Sequence, residues 1–196
     1  LAAAISARPG FIVCGELPPE DGFAETLSAL AAHLNYPIFA ESLSNLRFGS
    51  HDRSHLCVRY NRWLADQEFV KKYQPEWILR FGAFPVTRHL QSYISSNAII
   101  HALVEPWPRW TDPAHRLTHL LRAGPLAVCR ALLAEAPEPT PSGWHAAFVE
   151  KEASVHFGNV ATHVSILIEA LPENTPVFVG NSLAIRQLDS ESGSGD

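Results

Sequence analysis

Two stretches of this sequence hold residue types suited to gripping an anion. Near the C-terminal end, Val177-Phe178-Val179-Gly180-Asn181-Ser182-Leu183-Ala184-Ile185-Arg186 reads as a buried strand that breaks at Gly180-Asn181-Ser182 into a helix carrying Arg186. A glycine at the break lets the backbone approach a ligand closely. Asn181 or Ser182 can cap the helix, whose first N–H groups then face the same space as the Arg186 guanidinium. That arrangement suits a carboxylate or a phosphate. The second stretch, Gly82-Ala83-Phe84-Pro85-Val86-Thr87-Arg88-His89-Leu90, runs from a strand through a glycine turn into a helix with Pro85 near its start. It places Arg88 in the first helical turn at the C-terminal edge of a sheet, where open α/β folds bind ligands. A solvated surface arginine is the competing reading of Arg88.

Other chemistry finds no pattern to carry it. A dinucleotide site wants GxGxxG after its first strand, but this chain has Cys14-Gly15-Glu16-Leu17-Pro18-Pro19-Glu20-Asp21-Gly22, whose prolines and acids would repel a pyrophosphate. There is no GxxxxGK[ST] loop and no GxSxG elbow. Among the 10 histidines, His115 and His119 have the i,i+4 spacing that chelates on a helix. They fall in or beside a strand, where four residues span about 13 Å, too far to share an ion. His51, His55 and Cys57 lie in a polar loop without a clear fourth ligand, so no metal site is assigned. Cys14, Cys57 and Cys129 are odd in number and widely spaced, which favours a reducing compartment over a disulfide framework. Arg47, Arg59, Arg62 and Arg80 are candidates for an arginine-lined effector pocket, but no spacing brings them together.

The elements that must position these residues alternate. Gly10 to Gly15, Tyr36 to Glu41, Trp77 to Gly82, Ala98 to Leu103 and Arg116 to Leu121 read as strands. Helices are expected over Phe23 to Leu34, Arg59 to Tyr73, Thr87 to Ile94 and Pro125 to Ala134, with Phe23, Leu27, Leu30, Ala31 and Leu34 at helical spacing in the first. Strand–helix alternation predicts an α/β fold, a Rossmann-like parallel sheet with helices on both faces. The breaker-rich Ala136-Pro137-Glu138-Pro139-Thr140-Pro141-Ser142-Gly143 then reads as a linker, followed by helices from about Trp144 to Phe157 and Val160 to Leu171.

Composition bounds the function. At 196 residues and 46 % hydrophobic content the chain can bury a sizeable core, and a net charge of −5 argues against nucleic acid as a partner. No apolar run approaches the roughly 20 residues that span a bilayer. The apolar start Leu1-Ala2-Ala3-Ala4-Ile5 is too short for a signal peptide and lacks a basic leader, so a cytoplasmic location is expected. The absent initiator Met, and a domain that starts where the sequence stops, lead to the expectation of a piece of a larger enzyme.

Three motifs in order are Gly82-x-x-Pro85-x-Thr87-Arg88, Asp112-Pro113-Ala114-His115-Arg116 and Phe178-Val179-Gly180-Asn181-Ser182-Leu183-x-x-Arg186. Together they resemble the thiamine-diphosphate-dependent 2-succinyl-5-enolpyruvyl-6-hydroxy-3-cyclohexene-1-carboxylate synthases of menaquinone and phylloquinone biosynthesis. The likeness covers nearly the whole chain and is most specific in the last motif. It implies a middle α/β domain over 1–136 of nucleotide-binding type without the dinucleotide motif, a linker and connecting helices over 137–171, and the start of a C-terminal cofactor domain over 172–196. It also implies a transferase that condenses isochorismate with 2-oxoglutarate, forming a C–C bond with loss of CO2. The cofactors would be thiamine diphosphate and Mg2+ (or Mn2+), and the parent enzyme a homodimer or homotetramer.

By the same resemblance Asn181, Ser182 and Arg186 lie near the cofactor and the oxoglutarate-derived carboxylate, with Ser182 a cofactor contact, and Arg88 faces isochorismate. His89 stands where some relatives carry a second basic residue, a departure from their pattern. The family's activating glutamate and its GDG…N metal motif belong to the flanking cofactor domains. No catalytic residue or metal ligand is therefore expected in this chain, and by itself it should be inactive. The alternatives are a non-catalytic ligand-binding or regulatory α/β domain, and the middle domain of another thiamine-diphosphate enzyme of the acetolactate-synthase type. The proline-rich acidic turn after Cys14 speaks against the last.

Overall fold

Short apolar runs closed by glycine or proline form strands buried on both sides. In the computed structural model, which describes residues 1–95, 100–109, 111–155, 162–172 and 175–194, such strands are β1 (Gly10–Cys14), β2 (Ile38–Ala40), β3 (Leu56–Cys57), β4 (Trp77–Phe81) and β5 (Ile100–Val104), and β6 (His119–Leu121) is a partly exposed strand at the sheet's edge. They pair in the order β3-β2-β1-β4-β5-β6, parallel throughout. This is the doubly wound order, with its reversal point between β1 and β4.

Alternation along the strands supplies two cores. Ile12, Cys14, Leu79, Phe81, Ala102 and Val104 face one layer, closed by α1 (Ala2–Ile5), α2 (Phe23–Leu34) and α6 (Pro125–Glu135). Phe11, Val13, Phe39 and Ile78 face the other. There α3 (Tyr60–Trp63), α4 (Gln67–Lys72), α5 (Arg88–Ile94) and α7 (Gly143–Ser154) supply Tyr60, Trp63, Phe69, Leu90, Tyr93 and Phe148. Helices therefore cover both faces. Two further helices, α8 (His163–Ala170) and α9 (Leu183–Glu191), follow. Among the described residues no helix is long and apolar enough to cross a membrane.

Several elements differ from the sequence-based expectation. The strand β3 lies where only a polar segment and its flank were read; two residues carry too little periodicity to register, and pairing with β2 makes them a strand. The helix expected from Arg59 to Tyr73 is two helices. Asp66 interrupts it and caps α4, accepting from the N–H groups of Glu68 and Phe69 at 3.0 and 3.1 Å. The expected strand at Val177–Val179 does not form: its residues pair with no strand, and Phe178 is 97 % exposed. An apolar run needs a partner strand to become one, and none of the described strands lies beside it. The starts of the expected strand at Ala98 and helix at Val160, and the end of the helix at Phe157, lie outside the described residues.

The linker segment is tied back to the sheet's N-terminal side. Ala7 N–H donates to the Glu138 carbonyl at 2.8 Å, and Thr140 bonds the carbonyls of Leu34 and Arg8. At the opposite edge the loops after β1 and β4 lie against each other. Gly15 N–H donates to the Phe81 carbonyl at 3.0 Å and Ala83 N–H to the Glu16 carbonyl at 3.1 Å. Gly82 sits there at φ +73°, and a Cβ on it would lie 2.3 Å from the Glu16 carbonyl oxygen. Both the backbone conformation and the space demand glycine. Gly82→Ala is expected to lower stability by about 2 kcal/mol or more, read as a shift in the urea midpoint. A wild-type midpoint would show that the two loops yield.

Candidate functional site

Helix α9 is polar over most of its surface, and Ile185 and Asp189, one turn apart, make its buried face. A fully buried carboxylate is costly unless it is paired and hydrogen-bonded. Its partner is Arg47, also buried, on the loop after β2. Arg47 Nη2 lies 2.5 Å from Asp189 Oδ1. Arg47 Nη1 donates to the Asp189 carbonyl at 2.7 Å and to Ser192 Oγ at 3.1 Å, and Nε donates to the Ala40 carbonyl at 2.9 Å. Every guanidinium nitrogen thus has an acceptor. The Asp189 carboxylate takes two more donors, the Ser42 N–H and the Tyr60 hydroxyl, each at 3.1 Å. These bonds pin α9 to the C-terminal end of β2.

Beside the pair lies a second carboxyl group. Glu41, the residue after β2, is buried, and its Oε1 accepts the Val86 N–H at 2.7 Å. Burial first, then the neighbouring Asp189, push its pKa up to about 8. Near neutral pH Glu41 therefore keeps its proton. Burial also raises the Asp189 carboxyl above its usual range, opposed by Arg47, the Ser42 N–H and Tyr60. Tyr60 is raised by its own burial and by Asp189.

Arg88 opens α5 and is exposed; among the described residues its guanidinium has no hydrogen bond or ion pair. Thr87 before it is buried with its hydroxyl unpartnered among the described residues, and His89 Nδ1 lies 3.0 Å from the Asn61 carbonyl oxygen. Arg186 is likewise exposed and unpaired among the described residues, three positions before Asp189 on α9. Asn181 and Ser182 are exposed, and neither caps α9. Ser182 stands at the N-cap with φ 70° and ψ −118°, outside the extended region from which a side chain reaches back to the first N–H groups. The backbone at Gly180 is open, with nothing within 4 Å of the place a Cβ would take. Arg88 and Arg186 are not in contact. They stand on two elements held to one buried cluster beyond β2. Glu41, Tyr60 and Asp189 were not read from the sequence as site residues; an aspartate one turn from Ile185 was the available signal. Arg47, read as an effector-pocket candidate, is fully engaged with Asp189, whereas Arg80 donates to the Thr111 carbonyl and lies over the Phe84 ring.

Two cavities flank this edge. One of about 1070 Å³ lies between the loop after β2 and the α8–α9 segment, lined by Ser42, Asn45, Phe48, Ile168, Val179 and Leu188 among others. The other, about 280 Å³, lies at the β1–β4 reversal point and carries Glu16, Glu20 and Glu105 against Arg109. Its sign is wrong for a pyrophosphate. Among the described residues no group of three or more His, Cys, Asp or Glu side chains could hold a metal ion.

The Glu41 carboxyl carries a pH signature. Its pKa is raised from 4.5 to about 8 on folding, so its contribution is full below about pH 4.5 and is lost as pH rises through about 8. Glu41→Gln keeps an acceptor for the Val86 N–H and should flatten this decline. Urea unfolding at pH 5 and pH 8 is expected to show a smaller loss for Glu41→Gln than for the parent chain. Equal losses would show that Glu41 is ionised in the folded state.

No protein-family model matches the chain. Individual proteins do. It is 56 % identical over 196 residues to a 2-succinyl-5-enolpyruvyl-6-hydroxy-3-cyclohexene-1-carboxylate synthase of Dechloromonas aromatica, covering all of this chain and 36 % of that one. Proteins of the same name from Geobacillus kaustophilus and Roseiflexus sp. are 34 % and 32 % identical over 94 % and 92 % of the chain, and 34 % and 32 % of their own lengths. The chain spans about a third of the length of the curated relatives it matches. From end to end it is a homologue of that third of the 2-succinyl-5-enolpyruvyl-6-hydroxy-3-cyclohexene-1-carboxylate synthases.

Proposed function

We propose that this chain is the middle part of such a synthase, a transferase that condenses isochorismate with 2-oxoglutarate in menaquinone or phylloquinone biosynthesis. The observation that carries this reading is the 56 % identity over the full chain to a protein of that name. Residues 1–136 form the middle domain, 137–171 connect it, and 172–196 open the cofactor domain. The parent enzyme is a cytoplasmic homodimer or homotetramer using thiamine diphosphate with Mg2+ or Mn2+.

The residues here fit one wall of the cofactor site. The open backbone at Gly180 and the exposed Asn181 and Ser182 leave a polar group room to approach, while metal and catalytic glutamate would come from the flanking domains. When bound, thiamine diphosphate supplies carbanion stabilisation. The chain's own residues bind and orient. Arg186, near the start of α9 and unpaired among the described residues, offers a bidentate grip to the oxoglutarate-derived carboxylate. Arg88, on the same edge of the sheet, faces isochorismate.

Removing one partner of a carboxylate clamp costs about 2–5 kcal/mol. In the whole synthase Arg186→Ala should lower kcat/KM for 2-oxoglutarate by at least roughly tenfold, and Arg186→Lys should recover only part, because a point charge cannot form the paired bonds. Wild-type kinetics in both would make Arg186 structural. Arg88→Ala should instead raise the KM for isochorismate and spare 2-oxoglutarate decarboxylation. An unchanged KM would return Arg88 to the solvated surface.

A further inference from the structure

The two candidate arginines share one anchor. The loop that delivers Arg88 leaves β4, passes the end of β1 and reaches Glu41, whose carboxyl group accepts the Val86 N–H. The helix that delivers Arg186 is fixed through Asp189 to Arg47, Tyr60 and the Ser42 N–H. Glu41 and Ser42 are consecutive residues at the end of β2. The elements of both arginines are thus tied to neighbouring residues of one segment.

We propose that Glu41, Arg47, Tyr60 and Asp189 act as positioning residues that fix the Arg88 loop and the Arg186 helix relative to each other. The shared geometry is built from directional bonds. Val86 lies two residues before Arg88, and Asp189 lies three after Arg186, on the adjoining helical turn. Within this cluster all three guanidinium nitrogens and both Asp189 oxygens are engaged. An apolar contact would hold the helix without fixing its rotation; a guanidinium forked between a carboxylate and carbonyls of two elements fixes both. The use of this geometry in gripping two substrates rests on the function proposed above. The coupling itself does not.

The experiment separates the two in the whole synthase. Glu41→Ala removes the acceptor for Val86. Amide hydrogen exchange should quicken at least tenfold at Val86 and also within Leu183–Glu191, and Glu41→Gln should restore both. The pair replacement Arg47→Met with Asp189→Leu leaves no unpaired buried charge; it should quicken exchange in α9 and in the Val86–Arg88 segment. Steady-state kinetics on the same proteins should show KM rising several-fold for isochorismate and for 2-oxoglutarate in Glu41→Ala, with recovery in Glu41→Gln. Exchange changes confined to the mutated element would overturn the proposal. Coupled exchange with unaltered KM values would support the positioning and refute the substrate roles of the arginines instead.

Discussion

The ion pair between Arg47 and Asp189 is the interaction on which the C-terminal part of this structure depends. Helix α9 buries few apolar side chains, so hydrophobic burial alone holds it weakly. A carboxylate taken wholly out of water would be prohibitive without partners. Here one guanidinium, one hydroxyl and one backbone N–H surround it, and the helix can dock only where all of them meet. Burial of Glu41 beside it follows. A second negative charge there would face Asp189 at short range in a low-dielectric setting, and holding Glu41 protonated removes that repulsion.

The same edge explains why a doubly wound sheet need not take a nucleotide. In dinucleotide-binding relatives of this topology the reversal point is left open for a pyrophosphate beneath a helix N-terminus. Here Gly15 and Gly82 let the loops after β1 and β4 hydrogen-bond to each other. The glycines that a nucleotide site would use for close approach to phosphate serve close approach of two backbones. The adjoining cavity carries carboxylates, and α2 begins behind Pro18, Pro19 and Gly22 with no side-chain cap. The topology is kept while its reversal point is lined by carboxylates and bridged by backbone hydrogen bonds.

Much of this was legible in the sequence because the signals were local. Apolar runs such as Phe11-Ile12-Val13 and Ile78-Leu79 marked buried parallel strands, and the spacing from Phe23 to Leu34 marked α2. The positions of Arg88 and Arg186 near helix starts were legible as well. What escaped depends on distant partners. Leu56–Cys57 is a strand only because β2 lies beside it, and Val177–Val179, with an equally apolar run, has no such neighbour among the described residues. Arg47 and Asp189 are 142 positions apart, and nothing in either one's surroundings announces the other. The Ser182 cap failed for a backbone reason, a left-handed φ that residue type does not reveal.

A buried ion pair is a poor source of stability, since desolvation cancels most of the attraction, and a good source of register, since misplacement leaves both charges bare. That distinction bears on how the chain uses its polar residues. The sheet's two cores, filled by residues such as Phe11, Phe39, Leu79 and Phe81, supply the burial that holds the domain together without specifying the angle of any appended helix. The helix bearing Arg186 is held instead by groups that tolerate one arrangement. The substrate-gripping role proposed for Arg88 and Arg186 would need their separation fixed to a fraction of an ångström. Directional bonds at the end of β2 meet that need where apolar packing would leave α9 free to slide.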